Sequence, residues 1–159
     1  YLLRHAKSSW KYDNLSDIDR PLNKRGKENA PKIGQYLKKK KVNPQIIISS
    51  PSKRTLSTAE IISNEIGYKE KNLRIEMKLY AANLNDLIEL VNKLGDNLNE
   101  VMLVGHNPSF TLAVEYFSGE LLENLPTCGC AKIDFAVNTW RKVGKNNGKI
   151  KFLISPKSI

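Results

Sequence analysis

The sequence has few cysteines and no long apolar run, and each of these features excludes some classes of protein. Its two cysteines, Cys128 and Cys130, lie too close together to close a useful loop, which excludes a disulfide scaffold and favours a reducing compartment. No segment approaches the ~20 apolar residues that a membrane-spanning helix needs, and no charged and apolar leader precedes a cleavage site. We therefore expect a cytoplasmic protein without a membrane segment.

Metal-binding patterns are scarce as well. Cys128 and Cys130 could supply half of a zinc site, but no histidine lies near them and there is no second cysteine pair. We therefore expect no metal and no other cofactor. We interpret the two cysteines as small, half-buried side chains.

Basic residues are in excess, with 26 lysines and arginines against 16 aspartates and glutamates and a net charge of +10. Such a field attracts acidic partners. The densest basic run, residues 38–41, follows a helical apolar pattern, so we interpret it as a helix C-terminus where cations offset the dipole. Because no aromatic residues interleave with the basic ones and no zinc-finger or RNP-type motif is present, nucleic-acid binding is only a distant alternative.

Strand-like and helix-like patterns alternate along the chain. The β-branched run in residues 45–49 and the apolar run 101–104 suit buried strands, whereas helical spacing spans residues 23–40, 56–66, 84–94 and 110–117. Near the C-terminus, two alternating segments flank Asn146-Asn147-Gly148, which predicts a hairpin with a tight turn. We predict a single domain over residues 1–159, an α/β sandwich with a mostly parallel sheet.

Three polar segments follow predicted strands, where ligands bind in open α/β sheets. Arg4 and His5 follow the first strand, and they can face one pocket only if that strand stops there. Arg54 follows the second buried run, and His106 follows residues 101–104. Since the chain has only two histidines and both fall at strand ends, we expect these segments to share one site.

Two of the segments are also expected to open helices. Ser50 can act as an N-cap with Pro51 at the first helical position, and Asn107 can do the same with Pro108. Arg54 would then lie in the first helical turn, close to free backbone N–H groups. A helix N-terminus beside an arginine is a good anion site.

The three segments resemble the motifs of the histidine phosphatase superfamily, also called the phosphoglycerate mutase-like superfamily. Arg4-His5-Ala6 looks like a variant of its Arg-His-Gly motif, and Gly105-His106-Asn107-Pro108 resembles its third motif. The second motif is resembled by Ser49-Ser50-Pro51-x-x-Arg54-x-x-x-Thr58-Ala59. Residues 4–10 and 19–26 look like the SixA-type branch, the phosphohistidine phosphatases.

The resemblance implies a three-layer α/β/α sandwich of the phosphoglycerate mutase-like type, with a mostly parallel, mixed sheet. It implies four catalytic residues that act without a metal: the nucleophile His5 and the phosphate-binding Arg4, Arg54 and His106. Three further candidates for substrate binding are Ser8, Arg20 and Asn107. Arg20 could instead pair with nearby aspartates, and Ser8 could be a turn residue.

The leaving group decides the substrate class. Many larger relatives place a carboxylate after the third strand as a general acid, and the corresponding residues 79–83 contain none, although Glu76 or Asp86 could still reach the site. An alkoxide leaving group needs such an acid, whereas the imidazole of phosphohistidine does not. We therefore predict a monomeric phosphatase for phosphohistidine on a protein such as a histidine phosphotransfer domain. The alternatives are a phosphatase of small nucleotide or sugar phosphates and a non-catalytic phosphate-binding module.

Overall fold

Strands and helices alternate through most of the chain in the computed structural model, which describes residues 1–159. The strands are β1 (Leu2–Arg4), β2 (Ile46–Ser49), β3 (Arg74–Ile75), β4 (Val101–Gly105), β5 (Cys130–Phe135) and β6 (Gly148–Ile154). The α-helices are α1 (Lys24–Lys39), α2 (Lys53–Ile66), α3 (Leu84–Asn92) and α4 (Ser109–Ser118). Short 3-10 turns lie in the connections, including Asp17–Asp19, Met77–Leu79 and Trp140–Lys142.

The six strands form one mixed sheet in the order β3-β2-β4-β1-β5-β6. Strands β1 to β4 are parallel to their neighbours within that group, whereas β5 and β6 pair antiparallel. Successive side chains of a strand point to opposite faces, so Leu3 packs in a core with α1 and α2, and Leu2 packs in a core with α3 and α4. The predicted three-layer α/β/α sandwich with a mostly parallel sheet is confirmed.

The helices follow the expected apolar spacing. The side chain of Asn23 caps α1 by accepting a hydrogen bond from the Gly26 N–H at 2.8 Å. Lys38 and Lys39 occupy the last turn of α1, which confirms the interpretation of the basic run as a helix C-terminus. None of the helices combines the length and the apolar character that crossing a membrane requires.

The C-terminal strands pair as predicted, but the predicted tight turn is wrong. Strands β5 and β6 pair from Cys130 opposite Ile154 to Phe135 opposite Gly148, so residues 136–147 connect them. This connection packs on α3, where the Asn92 amide donates to the carbonyl oxygens of Trp140 and Val143 at 2.9 and 2.8 Å. The hairpin is therefore closed by this long connection rather than by a two-residue turn.

Cys128 and Cys130 are fully buried free thiols, which corrects the expectation that they are half-buried. Cys130 lies opposite Leu3 in the sheet, so its side chain belongs to the core that α1 and α2 cover. Burial raises the pKa of both thiols to about 12. They therefore stay protonated at neutral pH and pack as small apolar groups.

Candidate active site

An open cleft of about 540 Å³ lies at the carboxyl edge of the parallel strands. Because β2, β4 and β1 are neighbours in the sheet, the segments that follow them converge at this edge. The cleft is lined by Arg4, His5, Lys7, Ser8, Trp10, Asp17, Arg20, Arg54, Tyr80, Ala81, His106, Asn107 and Thr127. All seven residues that sequence reasoning assigned to the site are among them.

His5 follows β1 directly, and both its backbone N–H and its backbone carbonyl are hydrogen-bonded. Its N–H donates to the Gly105 carbonyl at 3.0 Å, and its carbonyl accepts from the Cys128 N–H at 3.0 Å. The Nδ1 atom of His5 lies 2.7 Å from the Ala6 carbonyl oxygen, so Nδ1 carries the proton and Nε2 has a free lone pair. Burial, reinforced by the charges of Arg54 and Arg4, lowers the pKa of His5 to about 4. The ring is therefore neutral at pH 7 and is a competent nucleophile.

His106 follows β4 and faces His5 across the cleft, with 5.3 Å between ring centroids. Its Nε2 lies 2.8 Å from the Ser50 hydroxyl, and the Tyr80 ring packs edge-on against it. Burial, together with the proximity of His5 and Arg54, lowers the pKa of His106 to about 3. His106 is thus a second neutral imidazole held in a fixed orientation.

Positive charge dominates the cleft. Arg4, Arg20, Arg54 and Lys7 line it against a single carboxylate, Asp17. The Nε atoms of the three arginines are buried and have no partner within the protein. Buried N–H groups are paired in most structures, so this arrangement suits an anionic ligand that the guanidinium groups would share.

Arg54 is oriented by the start of α2 and by the loop that carries Asp17. Its Nη1 donates to the Asp17 carbonyl at 2.6 Å and its Nη2 to the Asp17 carboxylate at 2.9 Å. Behind it, the Thr58 hydroxyl donates to the Arg54 carbonyl at 2.7 Å and accepts from the Ala6 N–H at 3.0 Å. One threonine therefore joins the Arg54 segment to the His5 segment.

Asp17 and Tyr80 belong to the site although sequence reasoning did not assign them to it. The Tyr80 hydroxyl donates to the Asp17 carboxylate at 2.7 Å. This bond and the Arg54 pair hold the pKa of Asp17 below its usual value, so the carboxylate stays ionised. In the sequence, Asp17 is only one of the aspartates near Arg20, with which it pairs at 3.6 Å.

The two other carboxylates considered for the site do not reach it. Glu76 pairs with Arg74 at 3.3 Å. Asp86 accepts from the Asn83 N–H at 2.9 Å and so completes the N-terminal cap of α3. Neither residue lines the cleft.

The three weaker candidates are engaged with protein neighbours. Arg20 lines the cleft and also pairs with Asp17, so its two predicted positions, near the phosphate site and beside an aspartate, are compatible. Its guanidinium also donates to the Ser8 hydroxyl. The amide of Asn107 donates to the Asn124 side chain at 2.7 Å and to the Leu125 carbonyl at 3.1 Å. These contacts connect Asn107 to the loop at Leu125, to which the guanidinium of Arg4 also donates a hydrogen bond.

The two helix starts differ slightly from the prediction. Helix α2 begins at Lys53 with Ser52 as its N-cap, two residues later than expected, and the Ser52 hydroxyl accepts from the Thr55 N–H. The Ser50 hydroxyl lies 2.8 Å from Nε2 of His106 instead. Helix α4 begins at Ser109 with Pro108 in the N-cap position. Asn107 still serves this helix start, since its side-chain oxygen accepts from the Thr111 N–H at 3.2 Å.

Known proteins resemble the chain in both sequence and structure. A profile of the Histidine phosphatase superfamily (branch 1) matches residues 1–89. An uncharacterized chloroplastic protein of Arabidopsis thaliana is 31% identical over 169 aligned positions, covering 99% of this chain and 77% of that protein. The proposed phosphohistidine phosphatase SixA of Agrobacterium tumefaciens has a TM-score of 0.82 at 26% identity, covering 98% of this chain and 96% of that one. A protein histidine phosphatase SixA complexed with tungstate has a TM-score of 0.83 at 19% identity, with the same coverage.

Proposed function

The chain belongs to the histidine phosphatase superfamily and is a phosphatase, and from that premise we propose that it hydrolyses phosphohistidine on a protein through a phosphorylated His5. One observation carries the choice of substrate: the cleft's single carboxylate, Asp17, is kept ionised by Tyr80 and Arg54. An ionised carboxylate cannot protonate an alkoxide leaving group. The imidazole of phosphohistidine leaves without that help, so the site suits it better than a sugar or nucleotide ester.

In the first step, Nε2 of His5 attacks phosphorus in line with the bond that breaks. The substrate reacts as its ring-protonated form, in which the nitrogen not bonded to phosphorus has taken a proton from solvent. The Nε2–P bond forms as the P–N bond of the substrate breaks, and the substrate imidazole therefore departs neutral. The cation that forms on His5 is stabilised by the Nδ1–H bond to the Ala6 carbonyl at 2.7 Å. The neutral resting state of His5 supplies the lone pair for this step.

Arg4, Arg54 and His106 are proposed to hold the phosphoryl oxygens, with Arg20 adding charge from the same side. These side chains would stabilise the negative charge that spreads over the phosphoryl oxygens in the transition state. Ser8 and Asn107 are proposed to assist indirectly, since Ser8 holds Arg20 and Asn107 holds the loop at Leu125. The proposed phosphohistidine phosphatase of Agrobacterium tumefaciens supports the assignment through its fold and its 26% identity.

In the second step, water adds to the phosphorus of phospho-His5. One proton of the water passes to solvent, the P–Nε2 bond breaks and inorganic phosphate leaves, which restores the neutral ring. We propose that neither step needs a metal, because the arginines of the cleft supply the positive charge. Full activity after dialysis against a chelator is the expected result, and activity that returns only with added divalent cation would contradict it.

A substrate panel tests the proposal. The chain is assayed on a phosphohistidine-bearing protein and on a sugar phosphate, whose alkoxide leaving group needs a general acid, together with His5→Ala. We expect kcat/KM to be at least about 100-fold higher for phosphohistidine, because an alkoxide leaving group lacks its general acid here. We also expect no turnover by His5→Ala and an acid-labile phosphate trapped on His5 of the unsubstituted chain. Full activity of His5→Ala would refute the nucleophile, and a preference for small esters would refute the substrate class. Phosphohistidine binding without phosphate release would indicate a non-catalytic module.

A further inference from the structure

Trp10 presents a largely exposed indole ring at the mouth of the cleft. Its side chain is 75% exposed and lines the cleft. The guanidinium carbon of Arg20 lies 3.4 Å from the ring centroid, so one face of the indole is covered by a buried cation. The opposite face is turned to solvent, although exposing an indole is unfavourable.

The other aromatic side chains of the cleft are engaged. Tyr80 packs edge-on against His106 and its hydroxyl binds Asp17. The rings of His5 and His106 face each other at 5.3 Å. Trp10 is therefore the aromatic side chain of the cleft that has a free face, and Arg20 keeps that face in a constant orientation.

The geometry of the reaction turns the leaving group toward the mouth of the cleft, which Trp10 lines. In an in-line displacement the leaving group lies opposite the nucleophile, across phosphorus. His5 is buried, 9% exposed, whereas Trp10 lines the same cleft and is 75% exposed. A target imidazole that departs from phosphorus therefore moves outward, toward the mouth where the indole lies.

We infer that Trp10 stacks on the imidazole ring of the target phosphohistidine and thereby selects for an imidazole leaving group. This inference rests on the proposed function and deepens it. Flat rings stack in offset or edge-to-face arrangements that stabilise a complex modestly beyond the area they bury. The contact is expected to raise kcat/KM between about twofold and tenfold for substrates that carry the ring.

Three substrates separate the ring from the rest of the target. Phosphoramidate has the P–N bond without a ring, phosphoimidazole has the ring without a protein, and a phosphohistidine-bearing protein has both. The variants are Trp10→Leu, which keeps an apolar cover over Arg20, and Trp10→Phe, which keeps a ring. Tyr12→Leu is the matched control, because Tyr12 is an aromatic residue two positions away, 50% exposed, that does not line the cleft.

We expect Trp10→Leu to lower kcat/KM for phosphoimidazole and for the phosphoprotein by about fivefold while leaving phosphoramidate unchanged. Trp10→Phe should recover most of the loss, and Tyr12→Leu should behave like the unsubstituted chain. An equal loss on all three substrates would show that Trp10 only positions Arg20, and a loss on the phosphoprotein alone would place the contact elsewhere on the target. Either result overturns the inference.

The same assay distinguishes failure of the proposed function. A sugar phosphate is added as a fourth substrate. If the unsubstituted chain hydrolyses it but neither phosphoimidazole nor the phosphoprotein, the proposed substrate class is wrong, and the proposed contact of Trp10 with the target ring is refuted together with it. If the unsubstituted chain hydrolyses both ring-bearing substrates and Trp10→Leu hydrolyses them equally well, the function stands and only the role of Trp10 is refuted.

Discussion

The free energy of unfolding is expected to fall by about 4 kcal/mol between pH 7 and pH 5, because two buried histidines stay neutral in the folded chain. The pKa of His5 is lowered to about 4 and that of His106 to about 3, both by burial first. An unfolded histidine titrates near 6.5. Over this window the unfolded chain binds more protons than the folded chain, so the stabilisation is present above pH 6.5 and is lost as pH falls toward 4.

The magnitude follows from the two pKa values. At pH 5 an unfolded imidazole is almost fully protonated, whereas a folded one with a pKa of about 4 is roughly one-tenth protonated. Each histidine therefore costs about 2 kcal/mol between pH 7 and pH 5. Asp17 titrates below this window because its pKa is lowered, and Glu60, whose pKa burial raises, contributes a smaller term of opposite sign.

Urea unfolding at pH 7, 6 and 5 measures the effect. The buffer must be free of phosphate, because an anion bound to the folded state would stabilise it by mass action. His5→Asn and His106→Asn should each remove about half of the pH dependence. The chain has no other histidine, so the double variant serves as the internal reference for the remaining groups, among them the buried α-amino group of Tyr1, whose pKa burial lowers. The double variant should lose about 4 kcal/mol less between pH 7 and pH 5 than the unsubstituted chain.

The reasoning is refuted if the unsubstituted chain and the double variant lose stability equally between pH 7 and pH 5. That result would mean that the folded histidines titrate near 6.5 and that burial does not keep them neutral. Histidine ring signals followed by NMR over the same range would then show protonation near pH 6.5. His5 would in that case be largely protonated just below neutral pH and less suited to attack phosphorus.

Three further substitutions test how the cleft is built. Arg54→Lys keeps the charge but loses the guanidinium fork, so kcat should fall by about 100-fold in a steady-state phosphatase assay. Gly26→Ala places a Cβ 2.2 Å from the Lys7 carbonyl oxygen, so the segment after His5 must shift. Urea unfolding should show a loss of about 1–3 kcal/mol for this variant. Thr58→Val leaves the buried Ala6 N–H without its acceptor, and unfolding should show a loss of about 1–3 kcal/mol.

Each of these variants has a matched control. Arg74→Lys replaces an exposed arginine outside the cleft and should leave kcat unchanged. Gly144→Ala meets its nearest atom only at 4.0 Å and should leave stability nearly unchanged. Thr58→Ser keeps the hydroxyl and should retain most of the stability that Thr58→Val loses. Equal effects in a variant and its control would contradict the structural reason given for that variant.

The convergence of the main site residues could be predicted, because it follows from the parallel direction of the strands that they end. Arg4 and His5 end one apolar run, Arg54 follows another, and His106 follows a third. Parallel strands of one sheet end at one edge, so residues that follow them must lie near one another. The structure confirms that geometry, with His5 and His106 rings 5.3 Å apart.

Details that depend on partners distant in sequence could not be predicted. Ser50 and Ser52 are equally good caps by residue type, and the structure shows that α2 uses Ser52 while the Ser50 hydroxyl contacts His106. Asn146-Asn147-Gly148 has the composition of a tight turn, yet the connection it ends packs on α3. In both places the residue type alone does not reveal which contact the side chain or segment makes.

The sequence by itself determined the layered α/β fold, the sheet edge that carries the chemistry and the residues most suited to phosphate chemistry. Apolar periodicity and strand-terminal motifs encode these features locally. Only the tertiary structure decided how that chemistry is tuned. It buries His5 and His106 so that both stay neutral, and it ties Asp17 to Tyr80 so that the cleft's carboxylate stays ionised. Burial and long-range pairing depend on the whole packed chain, so no local pattern records them.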